Sequence, residues 1–505
     1  MLTGIKHKAV LILGFVLLVL VMACGGGTPE STPAAPPDIE AMAKDFQLSA
    51  CRFTVPDDAK VICGYLHVPE DRSNPNSPTI SLHVAIFNSE SPTPAPDPIV
   101  YLEGGPGVHA LELLPLTYED RIVPFLSKRD FVIFDQRGVG YSKPNLQCPE
   151  LIALTYEVLN QRLSLEERGE KQALAATACR ERLLVNGADL RAYTSAENAA
   201  DLAVLRAALG IEQWNLYGTS YGTRLALTTM RDYPVGIRSV VLDSAYPLQV
   251  NLLESLLPNA DRAFTRLFED CESDKDCGRA YPKLESDFYD LVDRLDANPV
   301  SIKASHPLTG DNFDVLLDGD TLVDTLFQSL YATELIPVLP NIIVATRTGA
   351  YGLIGRLVGA LLWQSEYVSH GMYFSVGCGE ETPFNSPDKI ASVNEAYPRL
   401  GKHFDIDTIF AVCDSWGAKE ADPIENLAVS SRIPTLVLAG EYDPITPPLW
   451  GRMVAESLNA SFFYEFSGMG HGVSTSGECP LSITLAFLDD PTVEPDTSCI
   501  STMSR

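Results

Sequence analysis

The sequence predicts an α/β fold in which a doubly wound, mostly parallel sheet carries a large helical cap insertion. Short apolar runs that end in glycine turns, PIVYLEGG and FVIFDQRG, are typical of central strands buried on both faces of a parallel sheet. A helix from Thr194 to Gly210, the strand WNLYG at 214–218, a helix at 223–231 and the strand SVVLDS at 239–244 follow in turn. This alternation of strands and helices indicates right-handed crossovers in one sheet.

The elements on either side of this core have signals of their own. VICGYLHVP and TISLHVAIF flank the turn sequence DRSNPNSP and predict a β-hairpin ahead of the parallel strands. Thr194 and Glu197 have the spacing of a capping box at the start of their helix. After Pro247 the pattern is mostly helical, with few strand signals, until the strands TLVLAG at 435–440 and FFYEF at 462–466.

The N-terminus indicates export. Lys6 and Lys8 precede an apolar stretch that is short for a membrane-spanning helix and has the layout of a signal peptide. Ala23-Cys24 resembles the lipobox of bacterial lipoproteins, in which the cysteine is lipidated and becomes the new N-terminus, although Met22 departs from the usual small residue. An uncleaved anchor and a plain signal peptide are the alternatives. We expect a cell-envelope lipoprotein on the extracytoplasmic face of the membrane, or a secreted protein if the anchor is absent.

Five segments are therefore expected along the chain. They are a signal peptide at 1–23, a lipid-anchored flexible tether at 24–47, the first part of the α/β core at 48–246, a mainly helical cap at 247–430 and the second part of the core at 431–505. The tether, GGGTPESTPAAPPD, has a composition that cannot bury a core.

The net charge excludes one class of partner. The chain has 37 basic and 66 acidic side chains, for a formal charge of −29. Such a field repels phosphate backbones and anionic lipid, so no nucleic-acid partner is expected and contact with a membrane is expected only through the N-terminal anchor. A strongly acidic surface is also common in secreted proteins. No metal or organic cofactor is expected.

The cysteines indicate an oxidising compartment. Without Cys24, ten of the eleven cysteines remain, and an even number in an exported chain suggests five disulfides. The connectivity cannot be fixed from sequence, but pairing neighbours would close modest loops. These pairs are Cys51 with Cys63, Cys148 with Cys179, Cys271 with Cys277, Cys378 with Cys413, and Cys479 with Cys499. None has the spacing of a zinc site.

The motif Gly-Thr-Ser-Tyr-Gly at 218–222 carries the main chemical signal. It lies between a strand and a helix, where a strained turn lifts the hydroxyl of Ser220 above the sheet edge. A serine needs a base and an orienting acid, which follow in this order in such folds. GEYDPITPP after TLVLAG offers Asp443, with Glu441 as the competing acid, and SGMGHG after FFYEF offers His471 as the base.

Acyl transfer also requires donors for the developing oxyanion. The backbone N–H of Tyr221, immediately after the nucleophile at a helix N-terminus, is one candidate. The glycine turn at 104–107 after the strand IVYL is the other source, and because Pro106 has no N–H, Gly105 is the predicted second donor.

GGPG, DQRGVGYS and GTSYG together resemble the proline iminopeptidase branch of the α/β-hydrolases. The signal sequence, the cysteines and the late GEYDPITP and GHG motifs are more similar to its secreted relatives, the tripeptidyl aminopeptidases. The resemblance spans about Val61 to Cys479 and implies removal of residues from the free N-termini of peptides. Glu103 stands where iminopeptidases commonly carry histidine, so a preference for proline is not supported.

Recognition of a protonated amine requires a carboxylate in the cleft. The segment FSVGCGEE resembles the cysteine-then-acid segment of the secreted relatives and makes Glu380 the first candidate and Glu381 the second. Glu103 could assist them or pair with a neighbouring cation. The predicted function is thus a serine exopeptidase with a peptide substrate. A carboxylesterase or lipase with the same triad, and a non-catalytic peptide-binding lipoprotein, are the alternatives.

Overall fold

The computed structural model describes residues 46–503 and has a nine-stranded sheet at its centre. The strand order is β1-β2-β3-β5-β4-β6-β7-β10-β11, antiparallel among the first four and parallel from β5 to β11. The strands are β1 (Phe46–Ser49), β2 (Val61–Pro69), β3 (Thr79–Phe87), β4 (Ile99–Leu102), β5 (Phe131–Phe134), β6 (Trp214–Thr219), β7 (Ile237–Asp243), β8 (Val300–Ser305), β9 (Asn312–Leu317), β10 (Thr435–Gly440) and β11 (Ser461–Phe466).

The helices cover both faces of this sheet and build the cap. In chain order they are α1 (Ala110–Leu113), α2 (Tyr118–Arg121), α3 (Val123–Leu126), α4 (Pro149–Val158), α5 (Leu165–Val185), α6 (Ser195–Ala208), α7 (Tyr221–Asp232), α8 (Leu252–Ser273), α9 (Lys275–Ala280), α10 (Leu284–Ala297), α11 (Gly319–Ser329), α12 (Leu339–Arg347), α13 (Gly352–Ser365), α14 (His370–Val376), α15 (Pro387–Ala396), α16 (Asp407–Trp416), α17 (Pro448–Ser457) and α18 (Glu478–Asp489). A single π-helical turn, Gly377–Glu381, follows α14. Short 3₁₀ segments occupy Leu114–Thr117, Leu190–Ala192, Ile336–Val338, Thr382–Phe384, Gly401–His403, Pro423–Asn426 and Ser498–Thr502.

The central strands are buried on both faces, as their continuous apolar sequences predict. Every residue of β4, β5, β6 and β10 is buried, because helices cover both faces of a parallel sheet. Two apolar clusters lie on the two faces of this sheet. A further cluster, which includes Leu257, Phe264, Phe288 and Leu326, forms the interior of the cap.

Three local features differ from the sequence expectations. The predicted tether ended at residue 47, but β1 begins at Phe46 and pairs with β2. Thr194 caps α6 by accepting from Glu197 N–H, while the Glu197 carboxylate binds Arg72 at 2.5 Å and does not complete the capping box. Within the cap, β8 and β9 form an antiparallel hairpin where few strand signals were found.

Five disulfides join the cysteine pairs proposed from their spacing. They are Cys51–Cys63, Cys148–Cys179, Cys271–Cys277, Cys378–Cys413 and Cys479–Cys499. The predicted signal peptide, Cys24 and nearly all of the predicted tether lie outside the described residues. Among residues 46–503, no helix combines the length and the apolar character needed to cross a bilayer.

Candidate active site

Ser220 lies on a sharp turn between β6 and α7. Its backbone has φ +58° and ψ −126°, a left-handed conformation that a non-glycine residue adopts only under constraint. A Cβ on Gly222 would lie 1.9 Å from the carbonyl oxygen of Leu102, so only glycine allows α7 to approach β4 this closely. The sequence motif therefore has the strained strand-to-helix geometry that exposes a nucleophilic hydroxyl.

Asp443 and His471 meet in the loops that follow β10 and β11. His471 Nδ1 lies 2.8 Å from Asp443 Oδ2. The carboxylate is fully buried, and it also accepts hydrogen bonds from the N–H groups of Ile445 (3.0 Å) and Thr446 (2.8 Å). The Thr446 hydroxyl donates to Asp443 Oδ2 at 2.7 Å. These bonds fix the acid in one orientation, as an acid that orients a catalytic imidazole requires.

The electrostatics of this pair favour a charged acid and a basic imidazole. Burial alone would raise the pKa of Asp443, but the charge of His471 and the hydrogen bonds from His471 and Thr446 outweigh it and hold the pKa below its usual value. Burial alone would lower the pKa of His471, but Asp443 and, more weakly, Asp243 raise it above its usual value. A base with a raised pKa accepts the serine proton more readily.

Glu441, the competing acid, is occupied elsewhere. Its carboxylate accepts from Gly468 N–H at 3.0 Å and pairs with Arg266 of the cap helix α8 at 3.0 Å. A second arginine of α8, Arg262, donates to the carbonyl oxygens of Glu441 (2.6 Å) and Asp443. The cap thus contacts the acid loop directly, and it leaves Asp443 as the carboxylate beside His471.

The two candidate oxyanion donors belong to different elements, the glycine turn after β4 and the start of α7. A Cβ on Gly104 would lie 2.9 Å from the Cβ of Ser220, so the glycine turn passes directly beside the nucleophile. Gly104 N–H is occupied, because it donates to Glu103 Oε1 at 2.8 Å. The N–H groups of Gly105 and Tyr221 have no hydrogen-bond acceptor among residues 46–503. Both groups are therefore free to act as donors, and they stay the candidates for the oxyanion hole.

The Asp135-Gln136-Arg137 motif supports this turn from the sheet side. Asp135 accepts hydrogen bonds from the N–H groups of Leu111 (3.1 Å) and Tyr141 (2.7 Å). Gln136 donates its amide hydrogen to the carbonyl oxygen of Glu103 at 2.9 Å. The fully buried Arg137 forms a bidentate pair with Asp201 and donates to two backbone carbonyls. The motif braces the sheet edge and the start of the glycine turn.

Ser220 and His471 open into one cavity of about 1400 Å³. Its apolar wall includes Leu113, Leu116, Leu361 and Trp363. Its charged wall consists of six carboxylates and one guanidinium. The carboxylates belong to Glu103, Glu119, Asp120, Asp324, Glu334 and Glu478, and the guanidinium belongs to Arg121. None of the six carboxylates forms an ion pair within residues 46–503. The field in this cleft therefore favours cations.

Glu380 and Glu381 do not line this cavity. Glu380 is buried and accepts hydrogen bonds from the N–H and the hydroxyl of Ser195, both at 2.6 Å. Arg224 of α7 lies 3.7 Å from Glu380 and 3.2 Å from Glu381. The Tyr246 hydroxyl, which belongs to the cavity wall, donates to Glu381. Of the three acids suggested for amine binding, the structure brings only Glu103 to the cavity.

A separate acidic cluster in the cap has the spacing of metal ligands. Asp296, Asp320 and His403 offer ligand atoms within 4.8 Å of one another. His403 Nδ1 lies 2.8 Å from Asp320, and the ammonium of Lys402 lies 2.9 Å from Asp296. These contacts explain why the three side chains lie together: they form an ion-pair network that joins three elements of the cap.

Three residues near the triad were missed by sequence reasoning. Tyr331 follows α11 and packs its ring against the imidazole of His471, with a distance of 4.8 Å between the ring centroids. Its backbone carbonyl oxygen also accepts a hydrogen bond from the backbone N–H of His471 at 2.9 Å. Asp324 lies on the same helix and points its exposed side chain to the cavity. Arg262 holds the acid loop. None of the three lies in a local sequence motif, so no signal in the sequence could have identified them.

Comparisons with known proteins agree with this architecture. A model described as alpha/beta hydrolase fold matches residues 97–290, and a model described as TAP-like protein matches residues 402–499. The sheet topology and these matches together show that the chain has the α/β-hydrolase fold.

Several relatives of the chain are named as peptidases, and "Putative hydrolase YuaR" of Escherichia coli is 24% identical over 83% of both chains. "Serine protease Hip1" of Mycobacterium tuberculosis is 25% identical over 90% of both chains. "Tripeptidyl aminopeptidase" of Streptomyces lividans is 34% identical over 40% of this chain and 38% of its own length. "Proline iminopeptidase" of Xylella fastidiosa is 24% identical over 32% of this chain and 37% of its own length. The chain is thus similar to proteins named serine protease, tripeptidyl aminopeptidase and proline iminopeptidase, and these likenesses support a hydrolase of the serine peptidase type.

Proposed function

We propose that this protein is an extracytoplasmic serine exopeptidase that removes residues or short peptides from free N-termini. Ser220 attacks the scissile carbonyl while His471 accepts its proton, and Asp443 orients and stabilises the imidazolium. The N–H groups of Gly105 and Tyr221 hold the developing oxyanion. The acyl-enzyme forms as the peptide amine leaves with the proton of His471, and water then releases the N-terminal product.

The observation that carries the exopeptidase proposal is the charge of the cavity. Six carboxylates without ion-pair partners among residues 46–503 surround a cleft that contains the serine. An N-terminal ammonium binds favourably in such a cleft, whereas a blocked N-terminus gains nothing from it. The names of the relatives in Streptomyces and Xylella point to the same chemistry.

Asp324 and Glu103 are the carboxylates best placed to bind the amine. Asp324 lies on α11, which ends at Ser329, and Tyr331 just beyond that end packs against His471. The five positions from Asp324 to Ser329 correspond to a rise of roughly 8 Å along the helix axis, which is about the length of two to three residues of extended peptide. Glu103 lies beside the glycine turn and offers a second carboxylate closer to Ser220. The arrangement favours short N-terminal products.

The test uses tripeptide coumarin amides with free and acetylated N-termini, and p-nitrophenyl butyrate as an ester. We expect the free peptides to be cleaved with a kcat/KM at least tenfold above that of the acetylated ones. Ser220→Ala should abolish turnover of all three. Asp324→Asn and Glu103→Gln should raise KM about fivefold for the free peptides and leave the ester unchanged, because only the free peptides carry an ammonium.

Asp388→Asn is the matched control for charge, because Asp388 lies exposed on the cap helix α15 and outside the cavity. Equal cleavage of free and acetylated peptides would refute exopeptidase specificity. Turnover of the ester alone would support the carboxylesterase or lipase alternative, for which the apolar wall of Leu113, Leu116, Leu361 and Trp363 offers an acyl-binding surface. Absence of all turnover, together with absence of labelling by a fluorophosphonate, would leave only the non-catalytic peptide-binding alternative.

We propose in addition that Cys24 carries the lipid anchor. The five disulfides are typical of proteins that fold outside the cytoplasm, and the sequence before Cys24 resembles an export signal. Expression of the full chain in a bacterium with lipoprotein processing should place it in the membrane fraction, and Cys24→Ala should release it. A membrane-bound Cys24→Ala variant would contradict the lipid anchor and indicate an uncleaved signal segment.

A further inference from the structure

One segment of the cap joins the two candidate oxyanion donors. We name residues 367–381 the cap strap; it contains α14 and the π-helical turn. At its first end, Ser369 N–H donates to the carbonyl oxygen of Gly107 at 2.7 Å, and the carbonyl oxygen of Tyr367 accepts from His109 N–H at 3.0 Å. Val108 and Val368 form an antiparallel bridge between these bonds. The strap thus pairs with the glycine turn like a short edge strand.

The contact between turn and strap is a close approach of two backbones. Gly107 has φ +95°, and a Cβ at this position would lie 2.7 Å from the carbonyl oxygen of Ser369. Among residues 46–503, residues 105–109 have no backbone hydrogen bonds to any segment other than the strap and the helix that follows them. The core holds the two ends of this turn: Gln136 donates to the carbonyl oxygen of Glu103, and Asp135 accepts from Leu111 N–H. Between these two ends the strap supplies the backbone hydrogen bonds, so the position of Gly105 depends on the strap.

The side chain of Ser369 reinforces this contact. Ser369 is fully buried, its hydroxyl donates to Asn145 Oδ1 at 3.2 Å, and His109 Nε2 lies 3.0 Å from its oxygen. A hydroxyl has one proton, so His109 Nε2 must carry a hydrogen and donate to Ser369. Burial, and to a lesser degree the charge of His370, lowers the pKa of His109 to about 4, so the imidazole donates as a neutral group.

The second end of the strap reaches the helix that starts at the nucleophile. Glu380 accepts both hydrogen bonds of Ser195, and the Ser195 hydroxyl lies 2.8 Å from the hydroxyl of Tyr221. Arg224, which lies on α7 like Tyr221, is 3.7 Å from Glu380 and 3.2 Å from Glu381. One continuous segment therefore fixes the glycine turn at one end and the first turn of α7 at the other.

We propose that Ser369 is a positioning residue of the oxyanion hole, through which the cap strap sets the placement of Gly105 N–H relative to Tyr221 N–H. The inference rests on the proposed function, since it takes these two groups as the oxyanion donors. Donors stabilise the transition state only at hydrogen-bond distance from the developing charge. A shift of about 1 Å can lower the rate up to about a hundredfold.

The first test is Ser369→Ala in the full chain, which removes the hydroxyl and keeps the backbone N–H. We expect kcat to fall about tenfold for a free tripeptide coumarin amide and by the same factor for p-nitrophenyl butyrate. KM should stay within twofold, because the oxyanion forms only after binding. Ser392→Ala is the matched control, since its hydroxyl bonds only within the exposed cap helix α15.

The second test compares His109→Gln with His109→Ala. Glutamine can place an amide N–H near the position of the imidazole Nε2, so His109→Gln should retain most of kcat while His109→Ala loses it. This pair decides the question even if Ser369→Ala does not fold. A rise in KM with unchanged kcat, a loss confined to peptides, or equal loss in both His109 variants would overturn the inference. A wild type that cleaves neither substrate would instead refute the proposed function.

Discussion

Two buried carboxylates neighbour the candidate active site and have different electrostatic environments. Asp443 follows β10 and bonds to His471, whereas Glu380 lies on the cap strap and bonds to Ser195. Burial raises the pKa of both, but at Asp443 the charge of His471 and the hydrogen bonds outweigh it. At Glu380, Arg224 offsets burial only in part, and the pKa rises to about 7.

The difference lies in what each carboxylate faces. Asp443 contacts an imidazole that lines the cavity, so its charge acts on a group beside the substrate. Glu380 contacts a helix, a serine and an arginine that are all buried, so its charge acts on the scaffold. Burial and a shifted pKa therefore do not by themselves identify a functional acid. The partner must also reach the cavity.

The largest expected effect is on the Asp443 side. Asp443→Asn should lower kcat about 10⁴-fold on peptide and ester alike, because the amide no longer holds the required imidazole tautomer or stabilises the imidazolium. Steady-state kinetics with both substrates measure this loss. Glu441→Gln is the matched control and should retain kcat within about threefold. Equal losses in the two variants would mean that the acid was wrongly assigned.

The next effect is on the Glu380 side and concerns stability. Arg224→Met should lower the free energy of unfolding by about 3–5 kcal/mol, because it leaves Glu380 and Glu381 buried without their cation. Urea unfolding followed by tryptophan fluorescence measures the change. Arg399→Met, which removes an exposed partner of Glu285, should change it by less than about 1 kcal/mol. A small loss at Arg224 would show that the buried pair is not a stabilising contact.

The contributions of the two carboxylates to the free energy of unfolding should also depend on pH in opposite directions. The pKa of Glu380 is about 7 in the folded protein, above its ordinary value of 4.5, so the folded state keeps a proton that the unfolded state releases. The free energy of unfolding should therefore decrease from pH 4.5 to 7, and Glu380→Gln should remove this part of the decrease. Asp443 has a lowered pKa, so its contribution is instead lost on acidification. Unfolding curves of wild type and Glu380→Gln at both pH values test this, and parallel changes would contradict it.

The acid limb of the activity profile is a smaller effect. His471 must be neutral to accept the serine proton, and its pKa is raised, so kcat/KM should rise with pH through a midpoint above 6.5. Asp243→Asn removes one of the two charges that raise this pKa and should lower the midpoint by less than about one unit. Asp388→Asn should leave it unchanged. An unshifted midpoint in Asp243→Asn would show that Asp443 alone sets the basicity.

The smallest effect concerns the charge of the cavity. KM for free tripeptides should rise about threefold between 20 mM and 500 mM salt, because screening weakens the attraction of the six carboxylates. A tripeptide with lysine should bind more tightly than one with norleucine at the same position. KM for the uncharged ester should stay constant over the same range. A salt response of the ester as large as that of the peptides would point to a change in the protein itself.

The parallel half of the sheet could be predicted, and the residues of the candidate triad could be proposed, because their signals are local. β4, β5, β6 and β10 are continuous apolar runs with glycine turns after them, and the strained turn at Ser220 is encoded in five residues. In the sequence, Asp443 is favoured over Glu441 because Pro444 follows it. In the structure, the carboxylate of Asp443 accepts hydrogen bonds from the N–H groups of the two residues after that proline. Here short-range rules were sufficient.

The amine-binding residues and the cap contacts could not be predicted because they depend on long-range packing. FSVGCGEE made Glu380 and Glu381 the candidate amine-binding residues, but a π-helical turn and the Cys378–Cys413 disulfide bury Glu380 against α7. Asp324 has no local motif and reaches the cavity only because α11 packs its apolar side chains into the interior of the cap. The β8–β9 hairpin was missed because its two short strands are half exposed and lack a continuous apolar run.

The two carbonyl groups held by Arg262 have a consequence for how this protein can diverge or be redesigned. A cap that merely covered an active site could be exchanged between relatives to transfer substrate preference. Here one guanidinium of the inserted region donates to the carbonyl oxygens of Glu441 and Asp443, in the loop that carries the candidate acid. A chimera with a foreign cap would have to supply an equivalent cation at that point, so the specificity of this enzyme and its catalytic power are inherited together.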